Sequence, residues 1–334
     1  MKWNRKTFGF TLLSLGVSLF AADPIERAAQ RNPGPTGPGQ ASSLSICGKE
    51  LAALYRSGET PSLQEGVLQK GHFDGEQYAK NSELQYQWAT AYIKKLQLKG
   101  NERILDIGCG DGRVSALIAK AVPQGSVVGI DVSDSMLLEA QKLLQNTHIK
   151  NLSFARQDAM GLEFEKEFDL VLSFSCFHWV ANHLTALQKI EKSLKPGGRV
   201  FIYFYPDHGR ERADDAIKTV VSSKKWSSYF AHFTNPFSLV TPAKFASQAE
   251  SAKLVLKRME VVALDEVFPT SRAFAAWITG WMPQLKILPQ EKHKEFLDEI
   301  IASYLQKHPA DAQGKIHYID YWLEAEFIKS SLSK

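Results

Sequence analysis

The feature that most constrains this chain is a regular alternation of strand-like and helix-like segments between residues 100 and 206. Short apolar runs alternate with segments whose apolar residues recur at helical spacing. Runs such as DLVLSF at 169–174 have almost no polar interruption, which is typical of strands buried on both faces of a parallel sheet. The alternation therefore predicts an α/β fold built from right-handed strand–helix–strand units.

The pattern predicts most elements of the fold. We expect strands at 102–108, 126–132, 152–158, 168–175, 199–205, 256–267 and 316–328. We expect helices at 82–98, 111–121, 134–146, 183–194, 210–222, 242–252, 271–281 and 290–307. Ser82 is a candidate N-cap of the first helix, and Pro196 to Gly198 predict a turn before the fifth strand. The two late strands predict a seven-stranded sheet with a final hairpin, and the helices between them predict a helical cap.

A glycine-rich turn follows the first strand, in the segment DIGCGDG at 106–112. Its glycines let the backbone turn sharply and let a ligand approach the main chain, at the sheet edge where ligands of such folds bind. Arg113 stands where the dinucleotide-binding pattern G-x-G-x-x-G requires its third glycine. Asp106 and Asp111 place negative charge where a diphosphate would be repelled, and they favour a ligand with an ammonium group.

Acidic residues also end the next two strands. Asp131 can accept both hydrogen bonds of a ribose diol, and Asp158 can accept from an adenine amino group. Plainer roles remain open, because Asp106 or Asp131 could cap a helix and Asp158 could be a turn residue. For Asp131, however, Ser133 is the better placed N-cap.

Five segments in register resemble the class I S-adenosylmethionine methyltransferases: ILDIGCGDGRV, VVGIDVSDSML, RQDAM, FDLVLSFSCFHWV and LKPGGRV, within residues 102–205. The resemblance implies a Rossmann-like, mostly parallel seven-stranded sheet with helices on both faces. It implies S-adenosyl-L-methionine as the cosubstrate. The residues implied to bind it are Asp106, Gly108, Cys109, Gly110, Asp131, Val132, Asp158, Ala159 and Ser173.

A narrower resemblance concerns the methyl acceptor. The segments YAKNSELQ at 78–85, SFSCFHWV at 173–180 and KWSSY at 225–229 look like juvenile hormone acid methyltransferases. The trans-aconitate methyltransferases are a slightly poorer match, and both families methylate carboxylates. In the first family a glutamine and a tryptophan hold the substrate carboxylate, and these positions fall on Gln85 and Trp179. Both side chains can donate hydrogen bonds. The resemblance implies O-methylation of a small carboxylic acid without a metal.

Alternatives remain open for the acceptor residues. Gln85 could lie on a solvated helix face, and Trp179 could cover the core. His178 could be a general base for a hydroxyl or amine acceptor, or a histidine bonded to the backbone. Phe268, Phe274, Trp277 and Trp281 could line an apolar pocket or pack a helix on the sheet. The chain could instead methylate carbon or nitrogen, as quinone-biosynthesis enzymes do, or be a degenerate, secreted binding protein.

Composition narrows the possible partners. The net charge is +4, from 40 Lys+Arg against 36 Asp+Glu, and no dense basic run is present. We therefore expect a small-molecule acceptor and no nucleic acid. The three cysteines fit neither a zinc pattern nor a disulfide framework, and no Asp/His cluster indicates a magnesium site. The sequence does not predict the oligomeric state.

The N-terminal region predicts two further segments. Residues 8–22 are uncharged, follow three basic residues and are short for a membrane span, which is typical of a secretory signal. An uncleaved anchor or an unused upstream start codon are alternatives. The division is then 1–22 signal-like, 23–46 a disordered Pro/Gly linker and 47–334 a methyltransferase domain, with its core at about 100–206 and its cap at about 207–328. Cosubstrate supply favours the cytoplasm, whereas the first segment favours export or anchoring; membrane contact is expected only through that segment.

Overall fold

A computed structural model describes residues 75–209 and 213–331. The signal-like segment, the predicted linker and the first part of the predicted 47–334 domain lie outside the described residues. In the part of the chain that the structure describes, no helix is both long and apolar enough to cross a membrane.

Seven strands form one sheet in the order β3-β2-β1-β4-β5-β7-β6. Strands β1 to β5 are parallel, and β7 runs antiparallel to both of its neighbours, β5 and β6. The predicted seven-stranded, mostly parallel sheet is thus confirmed. The strands are β1 Arg103–Ile107, β2 Ser126–Asp131, β3 Leu152–Arg156, β4 Phe168–Phe174, β5 Leu194–Phe204, β6 Leu254–Phe268 and β7 Ile316–Lys329.

Helices cover both faces of this sheet. They are α1 Gly75–Asn81, α2 Glu83–Lys95, α3 Arg113–Ala121, α4 Asp134–Gln145, α5 His183–Ser193, α6 Ala213–Val221, α7 Pro242–Ser251, α8 Ser271–Thr279 and α9 Gln290–Lys307. Short 3₁₀ turns lie at Ala159–Gly161, Phe177–Trp179 and Pro283–Lys286. One hydrophobic cluster joins the sheet to α5 and α7, and a second joins it to α2, α3 and α4. This arrangement buries the apolar strands on both faces.

The helix beginnings follow from side-chain caps. The Ser133 hydroxyl accepts from the backbone N–H of Met136, so this serine, rather than Asp131, caps α4 as its position predicted. Asn182, Thr241 and Thr270 cap α5, α7 and α8 in the same way. Each such cap stabilises a helix by about 1 kcal/mol.

Two local predictions need correction. Ser82 occupies the N-cap position of α2, as predicted, but its side chain makes no capping hydrogen bond; its hydroxyl oxygen accepts from Arg113 Nη2 at 2.5 Å. The fifth strand begins at Leu194, which pairs with Phe168, and not at 199. The segment 196–198 is therefore an irregularity inside β5, where Gly197 adopts a φ of 76°, rather than a turn before the strand.

The late helices form a separate hydrophobic cluster. Buried side chains of α6, α8 and α9 pack around Trp226 and Phe230. Strands β6 and β7 pair along their lengths, but α8 and α9 connect them, so the antiparallel pair has no tight turn. The predicted helical cap therefore has its own core, built from the segment between β5 and β6 and from the helices between β6 and β7.

Candidate active site

A cavity of about 220 Å³ opens at the carboxyl ends of the parallel strands. A smaller cavity of about 40 Å³ adjoins it and is also lined by the glycine-rich turn. Residues that line both are Tyr78, Gln85, Gly108, Gly110, Phe174 and Ser175. The position agrees with the general rule that ligands of open α/β sheets bind outside the carboxyl ends of the strands.

The glycine-rich turn needs its glycines for two reasons. Gly108 has a φ of 75°, and a Cβ there would lie 2.4 Å from the side chain of Cys176. Gly110 has a φ of 54°, and its N–H donates to Asp131 Oδ2 at 3.0 Å. A Cβ on Gly110 would enter the space toward Tyr78, whose ring it would meet at 3.8 Å. The turn therefore keeps its backbone accessible from the cavity.

Asp131 ends β2 and lines the larger cavity. Its Oδ1 accepts from the N–H of Ser133 at 2.9 Å, and its Oδ2 accepts from Gly110. Burial raises the pKa of Asp131, although the backbone N–H groups that donate to it act in the opposite direction. A carboxylate has about four acceptor positions, so two remain for a ribose diol after these two bonds.

Asp158 lies beside the same cavity, together with Val132, Ala159 and Met160. Its Oδ1 accepts from the N–H of Met160 at 2.8 Å and thereby caps the first 3₁₀ turn. Its Oδ2 accepts no hydrogen bond from any described residue. The group thus combines a turn role with an open acceptor, next to apolar side chains against which a base can pack.

Asp106 lies in the smaller cavity with Cys109 and is only 2% exposed. Its Oδ2 accepts from the Ser115 hydroxyl at 2.5 Å, and it makes no helix cap, since Gly112 precedes α3. Burial raises the pKa of Asp106 to about 6; Ser115 lowers this pKa, and Asp131 raises it. An ammonium group of a ligand next to Asp106 would lower this pKa again and favour the charged carboxylate.

Arg113 also lines the smaller cavity, and sequence reasoning treated it only as a departure from the dinucleotide pattern. Its Nε donates to Asp111 Oδ2 at 2.8 Å, while its guanidinium lies 5.2 Å from the centre of the Tyr86 ring. The smaller cavity therefore offers both a carboxylate and a cation, as the zwitterionic end of an amino acid requires. The sequence feature that could have predicted this role is the position of Arg113 directly after the acid-rich turn at 106–112.

For Tyr78 of α1, too, no role was predicted from the sequence. It belongs to the segment 78–85, which resembles juvenile hormone acid methyltransferases. It lines both cavities, and burial raises its pKa well above the usual value, so the phenol stays protonated. The side chain closes the site from the N-terminal side of α2.

Ser173 does not line either cavity, and the structure gives its predicted contact with the cosubstrate no support. Its side chain is fully buried and donates to the Ile107 carbonyl at 2.9 Å, which ties β4 to β1. Ser173 lies inside β4, whereas the cavities open at the carboxyl ends of the strands. Ser175, with a φ of 54°, is the serine that lines both cavities.

The three residues predicted for the acceptor lie together on the larger cavity. Gln85 comes from α2, and His178 and Trp179 come from the 3₁₀ turn after β4. Gln85 is not on a solvated face: its Oε1 is buried and has no hydrogen-bond partner among the described residues. A buried amide oxygen without a partner is uncommon, and here it adjoins a cavity.

His178 is buried, and its Nδ1 accepts from the N–H of Tyr205 at 3.3 Å. Burial lowers the pKa of His178 to about 3, and the nearby His183 lowers it further. The ring is therefore neutral near pH 7, and because Nδ1 is an acceptor, the proton lies on Nε2. Its geometry matches the backbone-bonded alternative and gives no general base near neutral pH.

The residues present fit S-adenosyl-L-methionine. Asp131 and Asp158 would hold the nucleoside, and Asp106 with Arg113 would hold the amino-acid end, on the accessible backbone of the glycine turn. Within 75–209 and 213–331, no group of three or more His, Cys, Asp or Glu side chains could hold a metal ion.

The chain is similar to known methyltransferases. Residues 104–198 match the family model described as a methyltransferase domain. A trans-aconitate 2-methyltransferase of Rhodopseudomonas palustris is 26% identical over 250 residues, 73% of this chain and 94% of that protein. A protein named putative methyltransferase 235L, from Invertebrate iridescent virus 6, is 26% identical over 227 residues, 68% of this chain and 83% of its own.

Solved structures share the fold. The YcgJ protein of Bacillus subtilis has a TM-score of 0.53 at 15% identity, covering 73% of this chain and 99% of that one. Phosphoethanolamine N-methyltransferase 2 of Haemonchus contortus, in complex with S-adenosyl-L-methionine, has a TM-score of 0.51 at 22% identity, covering 80% of this chain and 61% of that one. The matched domain and the similar enzymes show that this chain is an S-adenosylmethionine-dependent methyltransferase with S-adenosyl-L-methionine as its cosubstrate, and the solved structures show that it shares their fold.

Proposed function

We propose that this enzyme methylates a carboxylate oxygen of a small-molecule acid. The observation that carries the proposal is the position of Gln85 and Trp179. They lie far apart in the sequence, on different elements, yet both line the cavity that Asp131 and Asp158 also line. Hydrogen-bond donors thus adjoin the cosubstrate side of one enclosed space.

Methyl transfer to a carboxylate requires mainly that the protein aligns the two reactants. The bound cosubstrate supplies an electrophilic methyl group. A carboxylate is already ionised near pH 7, so it needs no base, but one oxygen must be held toward that group. The Gln85 amide, the Trp179 indole and the neutral His178 ring are all of donor type. Together they would orient the carboxylate, and the aromatic walls would exclude water from it.

Sequence relatives support an acid as the acceptor. The trans-aconitate 2-methyltransferases of several bacteria are 22–26% identical to this chain and match 72–73% of it, and their name states a carboxylic acid substrate. Because the identity is low, the proposal for this chain takes over only the class of substrate, a carboxylic acid, and not trans-aconitate itself. The acceptor itself is a small molecule in this proposal, with no nucleic acid involved.

A second candidate, N-methylation of an amine, rests on Asp320. This carboxylate is buried and lines the same cavity, where it could attract a cation. Its Oδ2 accepts from Trp322 Nε1 at 2.8 Å, and its Oδ1 accepts from the N–H of Tyr321 at 2.9 Å. Both donors belong to β7 itself, which gives Asp320 a structural role in that strand, and the sequence relatives name an acid, so the acid remains the first candidate.

A matched pair of acceptors tests the proposal. The purified enzyme would be given methyl-labelled cosubstrate with an aliphatic or aromatic acid, or with the amine of the same carbon skeleton. We expect label only in the acid product, released as methanol by mild base because the product is an ester. Base-stable label in the amine product would overturn the proposal in favour of N-methylation.

A further inference from the structure

The sheet has two edge strands, β3 and β6, which differ in length. β3 has five residues, and so short an edge offers little backbone for pairing with another strand. β6 has 15 residues, and among the described residues no strand pairs with its outer side. We call this outer side of Leu254–Phe268 the β6 edge. Its length presents a long row of backbone N–H and C=O groups to another strand.

Exposed apolar side chains are concentrated at the β6 edge. Among the described residues, seven large apolar side chains are exposed, and five of them lie on β6 or directly beside it. They are Val255, Leu256, Val261 and Val267 on β6 and Ile319 on the neighbouring β7, and they are between 36% and 52% exposed. Single exposed apolar side chains are ordinary, whereas a cluster of them is typical of a surface that another protein covers.

Charge is distributed unevenly along β6. The basic residues Lys257 and Arg258 come first, and the acidic residues Glu260, Asp265 and Glu266 follow. A second strand of the same sequence matches this order only when it runs antiparallel, because its acidic end then lies beside the basic end of the first. The two-fold axis of a homodimer places two identical edge strands in this antiparallel orientation. The β6 edge is therefore complementary in charge to a second copy of itself.

Lys257 is the charged side chain of this edge that the fold itself does not use. It lies at an irregularity between Leu256 and Arg258, has no cross-strand partner on β7 and forms no ion pair with a described residue. Arg258, in contrast, forms ion pairs with Glu324 and Glu326 of β7. A bulge and a lysine hinder pairing with unrelated strands. An acid on an antiparallel copy of β6 would instead give this lysine an ion-pair partner.

We infer that two copies of this chain pair through the β6 edge, antiparallel and across a two-fold axis at Val261, so that their two sheets become continuous. Val261 then lies opposite the same residue of the second copy. Lys257 lies opposite Asp265 of that copy, because each is four residues from Val261. The ion pair occurs twice, once on each side of the axis. The active cavities stay accessible, since they lie at the carboxyl ends of the strands and not at the sheet edge.

Sedimentation velocity of the full chain over a range of concentrations measures this association, and we expect the wild type to form a dimer. The variant Val261→Lys places two like charges opposite each other at the axis and should be monomeric. Leu138→Lys is the matched control, because Leu138 is an exposed apolar residue of α4, away from β6. This control should remain a dimer.

Charge reversal tests the antiparallel register. Lys257→Glu or Asp265→Lys alone should raise the dimer Kd roughly 10-fold, because like charges then face each other twice. The double variant Lys257→Glu/Asp265→Lys restores opposite charges and should recover most of the affinity. Asp265 also contacts His317 of its own chain, so Lys257→Glu, which leaves that contact intact, is the cleaner single variant.

Two further readouts belong to this experiment. Unchanged circular dichroism and unchanged S-adenosylhomocysteine binding in every variant show that the fold is intact. Higher salt should weaken the wild-type dimer, since exposed ion pairs are screened. The proposal is overturned by a wild type that stays monomeric at every concentration, by a dimer that persists in Val261→Lys, or by a double variant that associates no better than the single variants.

Discussion

At the scale of single residues, Asp106 is a binding residue that lowers the stability of the folded protein. The carboxyl group is 2% exposed, and its one described partner is the Ser115 hydroxyl. Burial raises its pKa to about 6 from an ordinary value of 3.8. Keeping it charged at neutral pH therefore opposes folding, and the difference corresponds to roughly 3 kcal/mol.

The variant Asp106→Asn should be more stable than the wild type at pH 8, by about 1–3 kcal/mol, because the amide carries no charge. The neutral carboxyl stabilises the fold below pH 4, and this contribution is lost as the pH rises through about 6. The advantage of the variant should therefore grow between pH 4 and 6 and stay constant above. Denaturant unfolding at pH 4, 6 and 8 measures it.

The same variant should bind the cosubstrate more weakly, since it cannot pair with an ammonium group. Calorimetry with S-adenosylhomocysteine provides that readout. An advantage in stability that is the same at all three pH values would contradict the buried, charged state assigned to Asp106.

Whether His178 acts as a general base or as a hydrogen-bond donor can be tested directly. The burial that holds its pKa at about 3 keeps the ring neutral throughout the usual assay range. We expect kcat/KM for an acid to have the same pH dependence from pH 5 to 8 in the wild type and in His178→Gln, which keeps a donor. His178→Phe, which removes the donor, should lower kcat/KM by roughly 10-fold.

Both variants lose the bond from Tyr205 to Nδ1, so the difference between them reports on the Nε2 donor alone. An acidic limb near pH 6.5 that is present in the wild type and absent in His178→Gln would show a general base and sink the donor assignment.

At the scale of secondary-structure elements, Arg113 connects the two halves of the site. It begins α3 beside the glycine turn, and it reaches α2 by donating to Ser82 Oγ at 2.5 Å and Glu83 Oε2 at 3.4 Å. Because α2 carries Gln85, this arginine fixes the acceptor-binding helix relative to the cosubstrate turn.

Replacing Arg113 with Met keeps the apolar stem but removes the hydrogen bonds. We expect KM for the acid to rise roughly 10-fold, because α2 is no longer held at its beginning. Affinity for the cosubstrate should fall as well, since the cation of the smaller cavity is lost. Arg103→Met, which breaks a half-exposed pair with Glu167 outside both cavities, is the matched control. Steady-state kinetics in which both variants behave alike would contradict the connection.

Strands and helices with a clear local sequence pattern were predicted well. Short, mostly apolar runs predicted β1 to β4 to within two residues; β1 and β4 are buried along most of their length, whereas the edge strand β3 alternates buried and exposed residues. The start of β5 was missed, since Pro196 and Gly198 have the local signature of a turn, whereas the register of β5 against β4 depends on distant residues. Helix α9 was predicted at its observed limits from its long periodic pattern.

The candidate site was predicted only in part, for the same physical reason. Motifs identified the turn at 108–112 and the acids that follow β2 and β3, and the structure places these on one cavity. The apolar pattern of β4 did not show where the strand ends, so Ser173 inside β4 was chosen, and Ser175, which follows the strand with a left-handed φ of 54°, was missed. Arg113 acts through contacts with α2, about 30 residues earlier in the chain, that no local pattern reveals.

At the scale of the whole molecule, the active cavity joins two bodies of the fold. The parallel sheet supplies the cosubstrate end, and the helical cap, which has its own hydrophobic cluster, supplies Trp277, Trp281, Pro283 and Lys286 to the lining. The Trp277 and Trp281 side chains could be assigned to a pocket only once the cap had been placed against the sheet. Changes in the cap should therefore alter the choice of acceptor more than the affinity for the cosubstrate.

The central claim is that one cavity brings a cosubstrate site and a carboxylate-holding site together. The most direct test measures cosubstrate binding and ester formation side by side for the wild type, Asp131→Ala, Gln85→Ala and Trp179→Phe. We predict that Asp131→Ala loses both, whereas Gln85→Ala and Trp179→Phe bind the cosubstrate normally and form ester roughly 10- to 100-fold more slowly. Undiminished ester formation by the Gln85 and Trp179 variants would contradict the account and place the acceptor elsewhere.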